Sequence, residues 1–369
     1  MKIAILGTRG IPNFHGGFEQ YAEYLSVGLI KLGHSVTVYN SSEHPNKEKK
    51  FNGVNLRTIF CPENRYGAFS HFIYDWLCSK DASLGDKYDV IYHAGYQSAA
   101  PAIFRFNNSS KAIWITNMDG LEWKRDKWST PVKFLTKIME RIAIRSSDYL
   151  ISDNIGIQSY YKINFNADSK YLAYGADIPD YVDEELILEH NVNPQNYYIL
   201  VARLEPENSI EIILDGFLKS KSSKPFLIVG KHNTKYGALL KSKYHNNINI
   251  RFIGGIYEKN KLDALRKYSS IYFHGHTVGG TNPSLLEAMA LGCFISHHNN
   301  DFNNSVIKNN IFSFKNYFDV SKIINNYEKT GIKDIDSFKN QNINKILNEY
   351  SWEKIIYEHH QFFKSVINN

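Results

Sequence analysis

No apolar run in this sequence approaches the roughly 18 residues that a membrane-spanning helix requires, so a spanning anchor is not expected. Cysteine is scarce. Cys61, Cys78 and Cys293 are odd in number, widely spaced and without the rhythm of metal ligands. They read as reduced thiols in a cytoplasmic protein, with no bound metal. The opening "MKIAILGTRG" is too short and too soon interrupted for a signal peptide, and Ile3 to Leu6 read instead as a buried strand. No fixed-period repeat is present, and the Asn-rich stretch "HHNNDFNNSVIKNN" has only the character of a loop. The compact Gly-x-Gly-x-x-Gly turn is also missing, which disfavours a nicotinamide or flavin dehydrogenase and leaves no cofactor to expect. The net charge of +6 is modest. It suits an anionic partner such as a phosphate ester or a membrane surface, but no recognition motif points to nucleic acid.

What the sequence does contain is enough apolar material for two cores, at 43% hydrophobic and 22% charged over 369 residues. "KIAILG" reads as a strand, "FEQYAEYLSVGLIKL" as a helix with apolar residues at helical spacing, and "SVTVYN" as the next strand. "YDVIYHAG", "KAIWITNMDG" and "SDYLISDN" continue a parallel sheet. A second series begins after residue 190. It runs through "YYILVARLE", "NSIEIILDGFLKS", "KPFLIVG", "INIRFIGG", "KNKLDALRKYS", "SIYFHG" and "GCFISH". The pattern predicts an α/β fold of two Rossmann-like domains with parallel sheets facing a central cleft, ligands binding at the carboxyl ends of strands. The predicted boundaries are 1–190 and 191–347, with the linker in "IPDYVDEELILEHNVNPQN", followed by an amphipathic helix over 348–369.

Two glycine loops carry the chemistry. Gly16 and Gly17 stand at the start of the first predicted helix. Its unpaired N–H groups can receive a phosphate or sugar oxygen, or the glycines merely cap a flexible loop. The second loop is "HGHTVGGTNPSLLEAMALG". Asn282 is a good N-cap and Pro283 suits the first helical position. The competing assignment makes Ser284 the cap and Glu287 its capping-box partner. With Asn282 as the cap, Glu287 lies one turn in, where a carboxylate suits sugar or ribose hydroxyls. Gly279 and Gly280 then let a ligand lie against backbone. N–H donors for anionic oxygens beside a carboxylate for hydroxyls describe a nucleotide-sugar. Arg203 in "VARLEPEN" is the expected counter-charge for a diphosphate, against a structural ion pair with Glu205 or Glu207.

"LGTRGIPNFHGGFEQYAEYL", "NMDGLEWKRDKW", "ARLEPEN" and the second glycine loop resemble family-4 GT-B glycosyltransferases over nearly the whole chain. The nearer likeness is to the subgroup of bacterial capsule and O-antigen β-1,4-rhamnosyltransferases. The resemblance implies metal-independent, retaining transfer from a nucleoside diphosphate sugar, with the last helix crossing back to the N-terminal domain. Of the two glutamates that the family sets eight positions apart, Glu287 matches the second, which holds the donor ribose. The first falls on Gly279, and His276 or the backbone at Thr281 and Asn282 would take over its sugar contact. Arg203 matches the family's diphosphate arginine, whereas Asn208 stands where a lysine is usual, so Lys231 is the candidate for the second cation. The family's histidine near the reacting sugar corresponds to Asp119. Asp119 and His276 are therefore the catalytic candidates.

"KRDKWSTPVKFLTKIMERIAIR", Lys124 to Arg145, has seven basic and two acidic residues. It predicts a helix from Val132 with Val132, Leu135, Met139 and Ile142 on one side and Lys133, Lys137, Arg141 and Arg145 on another. Its basic face is either solvated or docked on anionic lipid. The leading expectation is a transferase on the inner face of the plasma membrane, moving rhamnose from dTDP-rhamnose to a lipid-linked saccharide. A UDP- or GDP-sugar donor and a non-catalytic nucleotide-sugar-binding protein are the alternatives.

Overall fold

The computed structural model describes residues 1–14, 16–98, 102, 110–125, 128–307, 311–331 and 333–368. Contacts divide the chain into two compact units. The first comprises Met1–Lys124, Trp128–Gly175 and Trp352–Asn369, and the second Arg125–Lys127 and Ala176–Ser351.

The first unit is built on an eight-stranded sheet: β1 (Lys2–Leu6), β2 (Ser35–Ser41), β3 (Lys50–Phe51), β4 (Val54–Ile59), β5 (Val90–His93), β6 (Ile113–Asn117), β7 (Tyr149–Ser152) and β8 (Lys170–Tyr171). Its order is β3-β4-β2-β1-β5-β6-β7-β8. Every pairing is parallel except the short β3–β4 ribbon. Helices cover a parallel sheet on both faces, which is why β1 after Lys2 and all of β5 are buried without alternation. Trp114, Tyr39, Tyr74 and Ile91 form one core cluster with Cys61 and Cys78. All three cysteines are buried thiols outside any disulfide.

The second unit holds a six-stranded parallel sheet: β9 (Tyr198–Val201), β10 (Phe226–Val229), β11 (Ile250–Gly254), β12 (Ile271–His274), β13 (Ile295–His298) and β14 (Ser313–Phe314). The order is β11-β10-β9-β12-β13-β14. Its core is aromatic, with Phe217 edge-on to Phe226 at 5.3 Å and Phe226 stacked on Phe273 at 5.4 Å.

The first boundary falls at Gly175/Ala176 rather than at 190/191. The proline-bearing stretch is held to the second unit. Tyr268 OH donates to the Val182 carbonyl at 2.8 Å, and Arg251 Nη1 donates to the carbonyls of His190 and Asn191 at 3.2 Å each. The second crossing falls after Ser351 rather than after 347, because Ile346 and Tyr350 are buried in the second unit.

Helix α1 (Gly17–Lys31) follows β1. Helix α2 (Thr130–Ser146) starts two residues before the expected Val132, with Pro131 in its first turn. It does not bury the Val132–Ile142 stripe. Its buried residues are Thr136, Glu140 and Ala143, because the Glu140 carboxylate accepts the Tyr161 hydroxyl at 3.0 Å. Phe134 and Leu135 are left 68% and 40% exposed. Asp126 and Lys127 of the basic segment lie outside the described residues.

In the second unit, α3 (Ile210–Ser220) follows β9, α4 (Lys259–Lys267) precedes β12 and α5 (Pro283–Ala290) follows it. The last helix, α6 (Trp352–Asn368), belongs to the first unit and packs on α1. Trp352 stacks on Tyr24 at 4.5 Å and 9°. His359 donates from Nδ1 to the Ile355 carbonyl at 2.7 Å, which leaves Nε2 to accept from Tyr21 OH at 2.5 Å. Tyr92 OH donates in turn to Tyr21 OH at 3.1 Å. Trp352 is buried, with its ring also 6.0 Å from that of Tyr21. Trp352→Ala should lower the unfolding free energy by about 3–5 kcal/mol in urea titrations, and Trp352→Phe, which keeps a ring against Tyr24, by clearly less.

Candidate functional site

In the second sheet β9 and β12 are neighbours, and the chain leaves them in opposite directions, toward β10 from one and β13 from the other. The loops after two such strands diverge and open a crevice at their carboxyl ends. Here those loops are Ala202–Ser209 and Gly275–Asn282, and backbone and side chain tie them together. The Glu207 carbonyl accepts from Thr277 N and Thr277 Oγ1, both at 2.9 Å. Asn208 Nδ2 donates to the Arg203 carbonyl at 2.7 Å, and Asn208 Oδ1 lies 3.0 Å from His276 Nδ1. The approach is so close that a Cβ on Gly275 would stand 2.0 Å from the Asn208 carbonyl oxygen.

Because the Asn208 amide nitrogen is committed as a donor, its oxygen must accept, and the proton of His276 sits on Nδ1. Burial first, then the cations Arg125 and Arg203 with His274, holds His276 well below the ordinary histidine range. The ring is neutral, and Nε2 is an acceptor. The His276 carbonyl is fixed separately by Asn300 Nδ2 and Asn303 Nδ2, each at 2.9 Å. Gly279 lies beside that ring at φ +132°, a conformation that disfavours any side chain, and a Cβ there would be 2.9 Å from His276 Nε2. A glutamate at this position would be strained and would collide with the imidazole.

Asn282 is the N-cap of α5, its side chain accepting from Ser284 N at 2.9 Å, so the capping box from Ser284 is not formed. Gly280 is half-buried and Thr281 buried in the turn before it. Glu287 is not a capping residue. Its Oε2 lies 2.7 Å from Arg266 Nη2, while its side chain keeps 21% exposure. Arg203 is exposed and makes no salt bridge among the described residues, because Glu207 pairs with Arg125 at 3.6 Å instead. Lys231 is also exposed, just beyond β10, with Nζ 5.2 Å from the Tyr257 ring centroid. The second unit therefore brings together Arg203, Asn208, His276, Gly279 and Asn282 at one switch point. Lys231 stands on the neighbouring strand's loop and Glu287 one turn into α5. Sequence reasoning missed the buried pairs Arg125–Glu207 and Arg266–Glu287, since nothing in the local pattern marks those arginines as interior.

In the first unit, Gly16 is the exposed N-cap of α1 and Gly17 its first residue, with no side chain capping the helix. Gly16 N donates to Asn13 Oδ1 at 3.0 Å, and Arg9 N to Glu19 Oε1 at 3.1 Å. Asp119 follows β6 and is buried, at 9% exposure. It lies in a polar interior with Asp153, Tyr96 and Tyr174, and burial first, then the Asp119 and Asp153 charges, raises the Tyr174 hydroxyl's pKa well above its ordinary value.

Residues 183–337 match the family described as Glycosyl transferases group 1, and residues 1–177 a family described as Domain of unknown function (DUF1972). A search of curated proteins gives no match. Among solved structures, sucrose-phosphate synthase from Thermosynechococcus elongatus is similar at TM-score 0.81 and 14% identity, over 100% of this chain and 99% of that one. HepE of Anabaena, solved in complex with UDP-glucose, has TM-score 0.78 and 15% identity over 99% of this chain and 100% of its own. The trehalose-6-phosphate synthase OtsA has TM-score 0.77 and 10% identity over 99% of each chain. The fold is GT-B, and the group 1 domain on that fold supports a GT-B glycosyltransferase.

Burial first, then His297, Arg266 and His298, pushes His274 down to about 3, so His274 and His276 are both neutral in the fold. In the unfolded chain each takes up a proton below about pH 6.5. Below that pH the unfolded state binds more protons, and stability falls by about 1.4 kcal/mol per pH unit for each such group. Above it these groups contribute no slope. Urea unfolding of the second unit should therefore weaken from pH 6.5 to pH 4.5, and His276→Gln should remove about one proton from the slope.

Proposed function

We propose that this chain transfers a sugar from a nucleoside diphosphate sugar to a lipid-linked saccharide, retaining anomeric configuration and using no metal ion. Rhamnose from dTDP-rhamnose is the leading donor. The observation that carries the reading is Arg203, an exposed cation without a salt bridge among the described residues. It stands at the end of β9, at a switch point that also holds a neutral histidine and the N-terminus of α5. Lys231 supplies a second exposed cation.

In this reaction the bond from the anomeric carbon to the diphosphate oxygen breaks as the bond to the acceptor hydroxyl oxygen forms. The acceptor's proton passes to the leaving phosphate oxygen, and the nucleoside diphosphate departs. Arg203 and Lys231 stabilise the charge that gathers on that phosphate. His276 Nε2 accepts from a donor-sugar hydroxyl, with backbone at Gly279, Gly280, Thr281 and Asn282 completing the sugar and phosphate contacts. Glu287 takes a hydroxyl of the nucleoside. In the first unit, Gly16 and Gly17 offer backbone N–H groups, and Asp119 is assigned to the reacting groups as an orienting or proton-accepting carboxylate. A UDP-sugar donor is the second reading, favoured by the solved complexes of HepE with UDP-glucose and with UDP and glucose.

The lipid-borne acceptor is supported by α2. Its outward surface combines exposed Phe134 and Leu135 with exposed Arg141 and Arg145, and Lys133 is half-buried nearby. Lys137 lies over the Trp123 ring at 4.6 Å. At about 1 kcal/mol per basic residue near an anionic surface, Lys133, Arg141 and Arg145 give up to roughly 3 kcal/mol, which supports reversible docking on the cytoplasmic leaflet. No helix among the described residues is long and apolar enough to cross a membrane.

Thermal stabilisation by dTDP-rhamnose, UDP-glucose, UDP-galactose and GDP-mannose tests the donor. Stabilisation by dTDP-rhamnose should dominate, and Arg203→Ala should weaken binding about 10–100-fold. Stabilisation by a UDP-sugar alone would replace the rhamnosyl assignment. Asp119→Asn should keep nucleotide binding and lose turnover. In flotation assays the protein should accompany phosphatidylglycerol vesicles and not phosphatidylcholine vesicles. The Phe134→Ser/Arg141→Glu/Arg145→Glu variant should stay behind; co-flotation of that variant would remove α2 as the docking surface.

A further inference from the structure

Arg266 is a buried cation at the end of α4, with its side chain 3% exposed. Its Nη2 donates to Ser284 Oγ at 2.9 Å and lies 2.7 Å from Glu287 Oε2, so one nitrogen spans the first turn of α5. Its Nη1 lies 3.4 Å from Asp263 Oδ1. Ser284 Oγ is itself 2.8 Å from Tyr272 OH, on β12. Asp263 on α4 and Ser284 on α5 thus fix the guanidinium, Tyr272 steadies Ser284, and the guanidinium fixes Glu287. The exposures are unequal: the carboxylate side chain is 21% exposed and the arginine 3%. The pair therefore presents its anion, and not its cation, to the surface.

We propose that Arg266 is a positioning residue that holds Glu287 as an ionised acceptor in one rotamer for the 3′-hydroxyl of the nucleoside. The inference rests on the nucleotide-sugar reading above. A glutamate on a helix surface samples several rotamers, and freezing one on binding costs side-chain entropy. A carboxylate already frozen by a buried cation offers a charge-assisted acceptor without that cost. An ion pair that served only the fold would change stability and leave the choice between ligands unmoved. The 3′-hydroxyl is the relevant group because dTDP and UDP both carry it.

The test is calorimetric titration of wild type, Arg266→Met, Arg266→Lys and Glu287→Ala with dTDP and UDP, and with the 3′-deoxy counterpart of each. Wild type should bind the parent nucleotide roughly tenfold more tightly than its 3′-deoxy counterpart. Arg266→Met should bind the 3′-deoxy compound as wild type does and bring the ratio near one, as should Glu287→Ala. Arg266→Lys should fall between. An unchanged ratio in Arg266→Met, or equal weakening of both ligands, would overturn the proposal. Replacing a buried ion-pair member by Met leaves Glu287 and Asp263 without this partner, although Asp263 keeps Lys259. Should that variant fail to fold by circular dichroism, the ratio in Arg266→Lys decides by the same criterion. Wild type that binds nucleotides with no preference for the 3′-hydroxyl overturns this inference and leaves the donor reading standing. Wild type that binds no nucleoside diphosphate overturns both.

Discussion

One carboxamide, that of Asn208, joins the two loops from which the second unit builds its site. It donates to the Arg203 carbonyl and accepts from His276, so its two ends are used in opposite senses. A lysine at this position, as the resembled family usually has, could donate to the carbonyl but could not accept from the imidazole. His276 would then need another partner or another tautomer. The same ring crowds Gly279, whose backbone at φ +132° and 2.9 Å clearance leave no room for a side chain. The residues at 208 and 279 therefore both meet the same imidazole, one by a hydrogen bond and the other by close approach.

The first unit depends in a comparable way on a buried polar chain. Tyr92, Tyr21 and His359 hand one hydrogen bond to the next, and the Ile355 carbonyl ends the series. Burial, only partly opposed by that carbonyl, holds His359 down to about 4, so its Nε2 stays available to Tyr21. A satisfied chain of this kind fixes the rotation of α6 on α1, which apolar packing alone specifies poorly. Trp352, stacked on Tyr24, then fixes where α6 begins.

The strands were legible because a parallel sheet covered on both faces needs unbroken apolar runs, and "IAIL", "FLIV" and "IYF" are such runs. The turn into α5 was legible because Asn-Pro before a helical pattern has a local cause. The domain boundary was not, because prolines and acidic residues mark a polar surface segment equally well whether it links two units or wraps one. The buried face of α2 was misread for a similar reason. Periodicity ranks residues by apolarity, but here Glu140 goes inside to meet Tyr161, and the apolar stripe is left partly out. Arg266 followed by Lys267 looks like an ordinary basic last turn. Only the tertiary approach of Ser284 and Glu287 makes one of the two an interior cation.

The electrostatics of the second unit share one direction. Two of its acidic groups near the switch point are paired, Glu207 with Arg125 and Glu287 with Arg266, whereas Arg203 and Lys231 are exposed without salt bridges among the described residues. The histidines between them are kept neutral, His276 partly by those same arginines. A protonated His276 beside Arg203 and Arg125 would add repulsion to the cost of its burial. A diphosphate bound at Arg203 would offset part of the arginines' repulsion, while burial, the larger cause, would keep the ring neutral and Nε2 free to accept.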